Sequence, residues 1–272
     1  ERICPVEFLC HNKSKNKFYI LFLCLGMSQS IQSEKVLTKN NNTIRCVELD
    51  VLRGIAIIAM IIFHFTFDLG YFGVIASDTI YRPNWILFQK FIAGSFIFIA
   101  GISLHLCHGL EIRWAYVKKR VLFLGGVALG ISITTIFAFG DFWVKFGILH
   151  CILVCSIMSL VFVHRSLGII FAITMALGAV MFLVRTPLDL PVGFHWLIET
   201  QIRQYSVDYS PVFPWIFVFS CGILWSKINF FLDLGVPRFV DLMRETRMIR
   251  RLAYIGQRSL AIYVIHQPIL FL

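Results

Sequence analysis

The strongest constraint on this chain is a succession of long apolar segments divided by short charged loops. A bilayer core about 30 Å thick takes a helix of about 20 predominantly apolar residues. Runs of that kind fall near 53–74, 84–107, 120–139, 145–163, 167–184, 210–230 and 252–272. They predict an all-α, polytopic transmembrane helical bundle of about seven spans, because a helix satisfies its own backbone hydrogen bonds in lipid. Composition agrees: 58% of residues are hydrophobic and 15% are charged, with 27 Phe, whereas soluble domains are about 25% charged. A water-soluble globule, a disordered chain, a coiled coil and a collagen-like fibre are excluded. Gly94, Gly101, Gly125, Gly126 and Gly130 lie inside the runs, as close helix–helix contacts in membranes favour. No fixed-period repeat is visible.

A net charge of +10 would suggest nucleic acid in a soluble protein; here it reads as topology, and no nucleic-acid partner is expected. With the N-terminus inside, the inner loops hold eleven basic residues: Arg113, Lys118, Lys119, Arg120, Arg165, Lys227, Arg238, Arg244, Arg247, Arg250 and Arg251. The outer loops hold four, Arg82, Lys145, Arg185 and Arg203. Cytoplasmic loops collect Lys and Arg, so this asymmetry predicts the N-terminus inside and the C-terminus outside. The long outer loop at 184–210, with His195, Trp196 and Glu199, reads as a lid, an acceptor-binding surface or a solvated connector.

Residues 1–44 stand apart as a poorly ordered or non-native extension, followed by a transmembrane domain at 45–272. The apolar run at 18–27 is too short to span and follows Lys13, Lys15 and Lys17, like a signal peptide without a clear cleavage pattern. The expectation is that 1–26 lie outside a working protein that starts near Met27. Eight scattered cysteines offer no zinc-ligand spacing and read as small buried apolar groups; no metal site is predicted.

Ionisable side chains at membrane depth are costly and mark functional sites by default. Arg53 stands at the inner end of the first span. At 1.5 Å per residue, His64 lies about 16 Å and Asp68 about 22 Å deeper, an i,i+4 pair suited to orienting an imidazole. His150 falls about 7 Å and Lys90 about 9 Å below the outer face, and His266 about 21 Å above the inner one. Asp208 and Tyr209 guard the outer end of the sixth span. Separate helices thus place five ionisable groups in the outer half of the membrane, and one polar cavity is predicted. His105, His108 and His164, at inner span ends, read as interfacial.

At these residues the chain resembles a known family. Glu48-Leu49-Asp50-Val51-Leu52-Arg53-Gly54-Ile55-Ala56 followed by Phe63-His64 is similar to the first helix of the heparan-α-glucosaminide N-acetyltransferase catalytic-domain-like family. The spacing of Arg53 to His64 is also similar to the arginine-to-histidine motif of membrane acyltransferases that decorate bacterial surface glycans. Three further stretches agree in order: Lys145-Phe146-Gly147-Ile148-Leu149-His150, Asp208-Tyr209-Ser210-Pro211-Val212-Phe213-Pro214-Trp215, and the closing Gly256-Gln257-Arg258-Ser259-Leu260-Ala261-Ile262-Tyr263-Val264-Ile265-His266-Gln267-Pro268. The resemblance covers roughly 45–272. It implies a multi-pass protein, placed in a bacterial inner membrane, that takes acetyl-CoA from the cytoplasmic side and delivers acetyl to a hydroxyl or amine of a glycan or other small acceptor outside. Acetyl-CoA is then a co-substrate, and no tightly bound cofactor is implied. In animal lysosomal members the activity is tied to a histidine in the first outer loop. This chain has none between Tyr71 and Trp85, so helix-borne His64 takes the candidate place.

Acyl transfer needs a base for the acceptor's proton and a group to stabilise the oxyanion. His64 is assigned as base or transient acyl carrier with Asp68 orienting it. His266 and His150 orient the acceptor or stabilise the oxyanion, and Lys90, Asp208 and Tyr209 line the acceptor site. Arg53, Arg113, Lys118, Lys119 and Arg120 are the candidate CoA-phosphate ligands. A proton-coupled transporter or lipid-handling protein and a b-type haem protein using His64 with His150 or His266 are the competing classes. The bilayer and a homo-oligomer partner are compatible with each.

Overall fold

The computed structural model describes residues 47–183, 206, 208–232 and 246–270, all in the unit Val47–Leu272. The extension expected over 1–44, the loop from 184 to 205 and the cations Arg185, Arg203, Arg238 and Arg244 lie outside them. The described residues form eight α-helices and no strand.

Helix α1 (Val47–Tyr71) opens with Glu48 and Asp50 in its first turn, where unpaired N–H groups favour negative charge. The turn after it uses Gly73 at a φ of 73°, and a 3-10 turn leads to Pro83, which opens α2 (Pro83–His108); proline's missing N–H costs nothing at that position. Helix α3 (Trp114–Phe139) stops at Gly140, whose φ of 56° suits glycine. The irregular stretch that follows carries the Phe146 carbonyl to the Ser210 N–H, 2.8 Å away. Then come α4 (Ile148–Ser159), α5 (Leu167–Leu183), α6 (Val212–Leu232), which bends at Phe213, α7 (Arg247–Gln257) and α8 (Ser259–Leu270).

Among the described residues, four helices are long and apolar enough to cross a membrane: α1, α2, α3 with its extension to Phe142, and α6 through Asn229. Helices α4, α5 and α8 are apolar but shorter. The run at 145–163 is helical only over 148–159, and turns follow. The run at 252–272 is not one helix. It divides at Arg258, whose non-helical backbone ends α7 before α8 begins. A summed hydropathy hides this, because α7 alternates arginines with apolar residues at helical spacing.

Two close crossings hold the bundle. A Cβ on Gly101 of α2 would strike the Phe219 carbonyl of α6, and one on Gly222 would strike the Phe98 carbonyl. Gly54 of α1 faces the Leu252 carbonyl, while Gly256 of α7 faces that of Asp50. Small residues at such seams let helices gain dispersion and backbone contact where lipid offers no hydrophobic contrast. Around the α2–α6 seam sits the main core, with Ile97, Leu104, Cys155, Phe219 and Ile223. A smaller one joins Ile57, Met60 and Phe63 of α1 to Ile92 of α2. Leu122 and Phe137, exposed at 76% and 86%, face outward, as a lipid-facing surface requires. Cys151 and Cys155 are free and buried, as read from the sequence, whereas Cys107 is disulfide-bonded.

Candidate functional site

Helices α1 and α8 bring His64 and His266 into edge contact, with ring centroids 4.8 Å apart at 61°. Tyr263 stands on the other side of His266 at 5.8 Å. The expected His64–Asp68 hydrogen bond does not form. His64 turns toward α8, and Asp68 Oδ1 instead accepts from the Gln267 side-chain amide at 3.0 Å. Two neighbouring residues of α8, His266 and Gln267, thus engage His64 and Asp68 of α1. The two rings touch directly, leaving no room for a macrocycle between them.

The protonation pattern follows from the partners. His266 Nδ1 is 2.7 Å from the Tyr263 carbonyl, which only accepts, so Nδ1 carries the proton and neutral His266 presents a bare lone pair at Nε2. That Nε2 is buried without a partner, as are Asp68 Oδ2 and Gln267 Oε1. Asp68 is 3% exposed and His266 8%, so water does not satisfy them from bulk. All three orphaned atoms are acceptors, and what they lack is a donor.

His150 is bound differently. Its Nδ1 accepts from the Gly147 N–H at 3.3 Å, so its Nε2 carries hydrogen and faces the Ser132 hydroxyl at 3.4 Å. Ser132 in turn donates to the Val144 carbonyl at 2.8 Å. Both ring nitrogens are therefore committed to holding the entry of α4. Asp208 does similar work from across the chain: Oδ2 accepts from the Ile148 N–H at 3.1 Å and Oδ1 from the Ser210 hydroxyl at 3.3 Å. Burial raises the Asp208 pKa above the ordinary carboxylate value, and these two bonds pull against the rise. Tyr209 is fixed through its backbone bridge to Phe146. A small cavity separates His150, Gly147 and Asp208 from Tyr263, so Tyr263 is the wall shared with the His64–His266 pair.

Lys90 is exposed on α2 and does not join these residues. Its depth was readable from the helical rise, but its direction around the helix was not.

A second polar group gathers at the other end of α1. Arg53 pairs with Asp50 at 3.1 Å and donates to the Ser103 hydroxyl at 2.5 Å. Arg120 lies within electrostatic reach of Arg53, and His108 within reach of Arg120 and Arg113. The Arg113 N–H donates to His108 Nδ1 at 3.3 Å. His105 meets the Ser226 hydroxyl at 2.8 Å, near Lys227. His105 and His108, read as interfacial, lie in the last turn of α2 and are buried against the protein at 6% and 2%. Their i,i+3 spacing beside Arg113 and Arg120 was the signal that they share this cluster. Lys118 and Lys119 are exposed and stand outside it.

These features define a helical membrane protein with a histidine pair, His64 half-buried and His266 buried, at one end of α1 and a group of half-buried arginines at the other. A family model for the heparan-alpha-glucosaminide N-acetyltransferase catalytic domain matches residues 45–268, and the chain belongs to that family. No curated protein and no solved structure matches it.

Proposed function

We propose that the protein is an integral-membrane acetyltransferase that moves an acetyl group from cytoplasmic acetyl-CoA to a sugar hydroxyl or amine on the outer face. One observation carries this reading: three buried acceptor atoms, on Asp68 of α1 and on His266 and Gln267 of α8, have no donor, and the side chains that bear them belong to the group joined by the His64–His266 and Asp68–Gln267 contacts. A hydroxyl or amine bearing several N–H or O–H groups supplies what they lack. His266 Nε2 takes the proton of the attacking group while its oxygen or nitrogen bonds to the thioester carbon. The carbon–sulfur bond then breaks, and the departing CoA sulfur receives the proton from the imidazolium. Asp68 and Gln267 hold neighbouring hydroxyls, and His64, edge-on to His266, stands beside the reacting carbon. A thioester is already activated, so the residues need only position and move a proton.

Arg53, Arg113 and Arg120 form the cationic end that receives the CoA phosphates, with His105 and His108 packed beside them. His64 is eleven residues from Arg53 on one helix, about 16 Å along it, a length the pantetheine arm covers. On this reading the Arg53 end faces the cytoplasm, in accord with the excess of basic residues there. A multi-pass, N-terminus-in arrangement in a bacterial inner membrane completes this reading.

The test is incubation of purified protein with acetyl-CoA and a panel of amino sugars and polyols. CoA thiol release and acceptor mass gain are followed. Acceptor-dependent release that is lost in H266Q supports the assignment. No release with any acceptor, together with proton-coupled uptake in liposomes, overturns it in favour of transport.

A further inference from the structure

Helix α7 has two faces of opposite character. Arg247, Arg250, Arg251, Tyr254 and Arg258 fall within an arc of about 100° at 100° per residue, a ridge about 16 Å long. All five are exposed, whereas Ile249, Ala253 and Gly256 on the opposite side are buried against α1. The Arg258 guanidinium lies 3.7 Å over the Tyr254 ring, which fixes the far end of the ridge. An open hollow runs between Arg247, Arg250, Arg251 and Tyr254, floored by Ile255. No Asp or Glu occurs from 246 to 270, and among the described residues no salt bridge neutralises these arginines.

The position of α7 selects the ligand. Eleven residues rise about 16 Å, too little to cross a bilayer, and four guanidiniums do not enter hydrocarbon. Yet the apolar helix α8 starts directly after Arg258, and the Gly54–Gly256 seam clamps α7 to the end of α1. Together these hold α7 at the headgroup level, with its arginines facing away from the bundle. The exposed Tyr254 and Met248 suit the boundary between headgroup and acyl chain.

We propose that α7 is an anionic-phospholipid anchor, its arginine ridge binding the phosphates of acidic headgroups such as phosphatidylglycerol. A row of planar, always-charged forks matches lipid phosphates in type and charge. This site stands apart from the acetyl-transfer reading, because none of the four arginines belongs to either polar cluster of the bundle.

The full chain in detergent is titrated with short-chain phosphatidylglycerol or phosphatidylcholine, and binding is read by the shift of the unfolding midpoint. Phosphatidylglycerol is expected to bind, more weakly at high salt, while phosphatidylcholine leaves the midpoint where it is. R250Q/R251Q should weaken phosphatidylglycerol binding about 30-fold, and R250K/R251K should retain most of it. Should R250Q/R251Q fold poorly, R247Q/R258Q serves as the second pair, with the same expected loss. Undiminished binding by the Gln variants overturns the proposal. So does an equal response to phosphatidylcholine, or displacement of the lipid by equimolar inorganic phosphate or CoA, which would mark a site for soluble anions.

Discussion

A backbone carbonyl accepts hydrogen bonds and never donates them, and that separates the roles of the two best-placed histidines. His266 gives its Nδ1–H to the Tyr263 carbonyl and keeps Nε2 bare. His150 receives the Gly147 N–H at Nδ1 and so holds its hydrogen at Nε2. On the proposed reading His266 is the base, whereas His150 secures a helix entry. H266Q should lower kcat about 100- to 10,000-fold, the range for loss of a general base, with little change in unfolding midpoint. H150A should do the reverse, costing about 1–2 kcal/mol of stability through the lost end-capping bond and changing kcat only a few-fold. Side-by-side turnover and thermal unfolding of the two variants check this, and interchanged effects would reverse the assignment. The meeting of His64 with His266 was legible in the sequence, because rise per residue is constant and both depths could be counted. Asp68's partner was not. It depends on the rotation of a helix 199 residues away, and no spacing within α1 encodes that.

At the scale of elements, the seams decide which faces meet. Hydropathy marks where helices are, and it located α1, α2, α3 and α6 within a few residues. It does not weigh azimuth, so the arginine ridge of α7 was absorbed into a span and Lys90 was assigned to a cavity it does not reach. Glycines within the runs were the readable trace of close contact, and Gly101 does lie at one. Its partner Gly222 is the more informative position to change, since a Cβ there meets the Phe98 carbonyl, rigid backbone that cannot rotate aside. G222V should therefore separate α2 from α6 and destabilise the fold by about 1–3 kcal/mol. A thermal midpoint unchanged from wild type would mean the helices can slide apart freely. Gly126 has open space around its Cβ position, so G126A provides the control and should leave the midpoint unchanged or slightly raised.

Across the whole molecule, α1 joins two chemically different stations. One end holds Arg53 against Asp50, with Arg120, Arg113 and His108 gathered beside it. The other presents His64 and Asp68 to the orphaned acceptors of α8. The first station already holds one anion, Asp50 on Arg53, and phosphate oxygens are of the kind that Arg113 and Arg120 bind beside it; the second station presents acceptor atoms that take hydrogen-bond donors. On the proposed reading, a donor substrate with phosphates at one end and a thioester at the other meets the first, and a hydroxyl-bearing acceptor meets the second. If the cationic station serves the phosphates alone, its loss should appear in donor binding and not in chemistry. R120Q is expected to raise the KM for acetyl-CoA about 10- to 100-fold, the worth of a hydrogen bond to a charged group, while kcat and the acceptor KM stay near wild type. The measurement is initial-rate kinetics with each substrate varied in turn. A fall in kcat with unchanged donor KM would instead place Arg120 at the reacting centre, which would mean the two stations along α1 act as one.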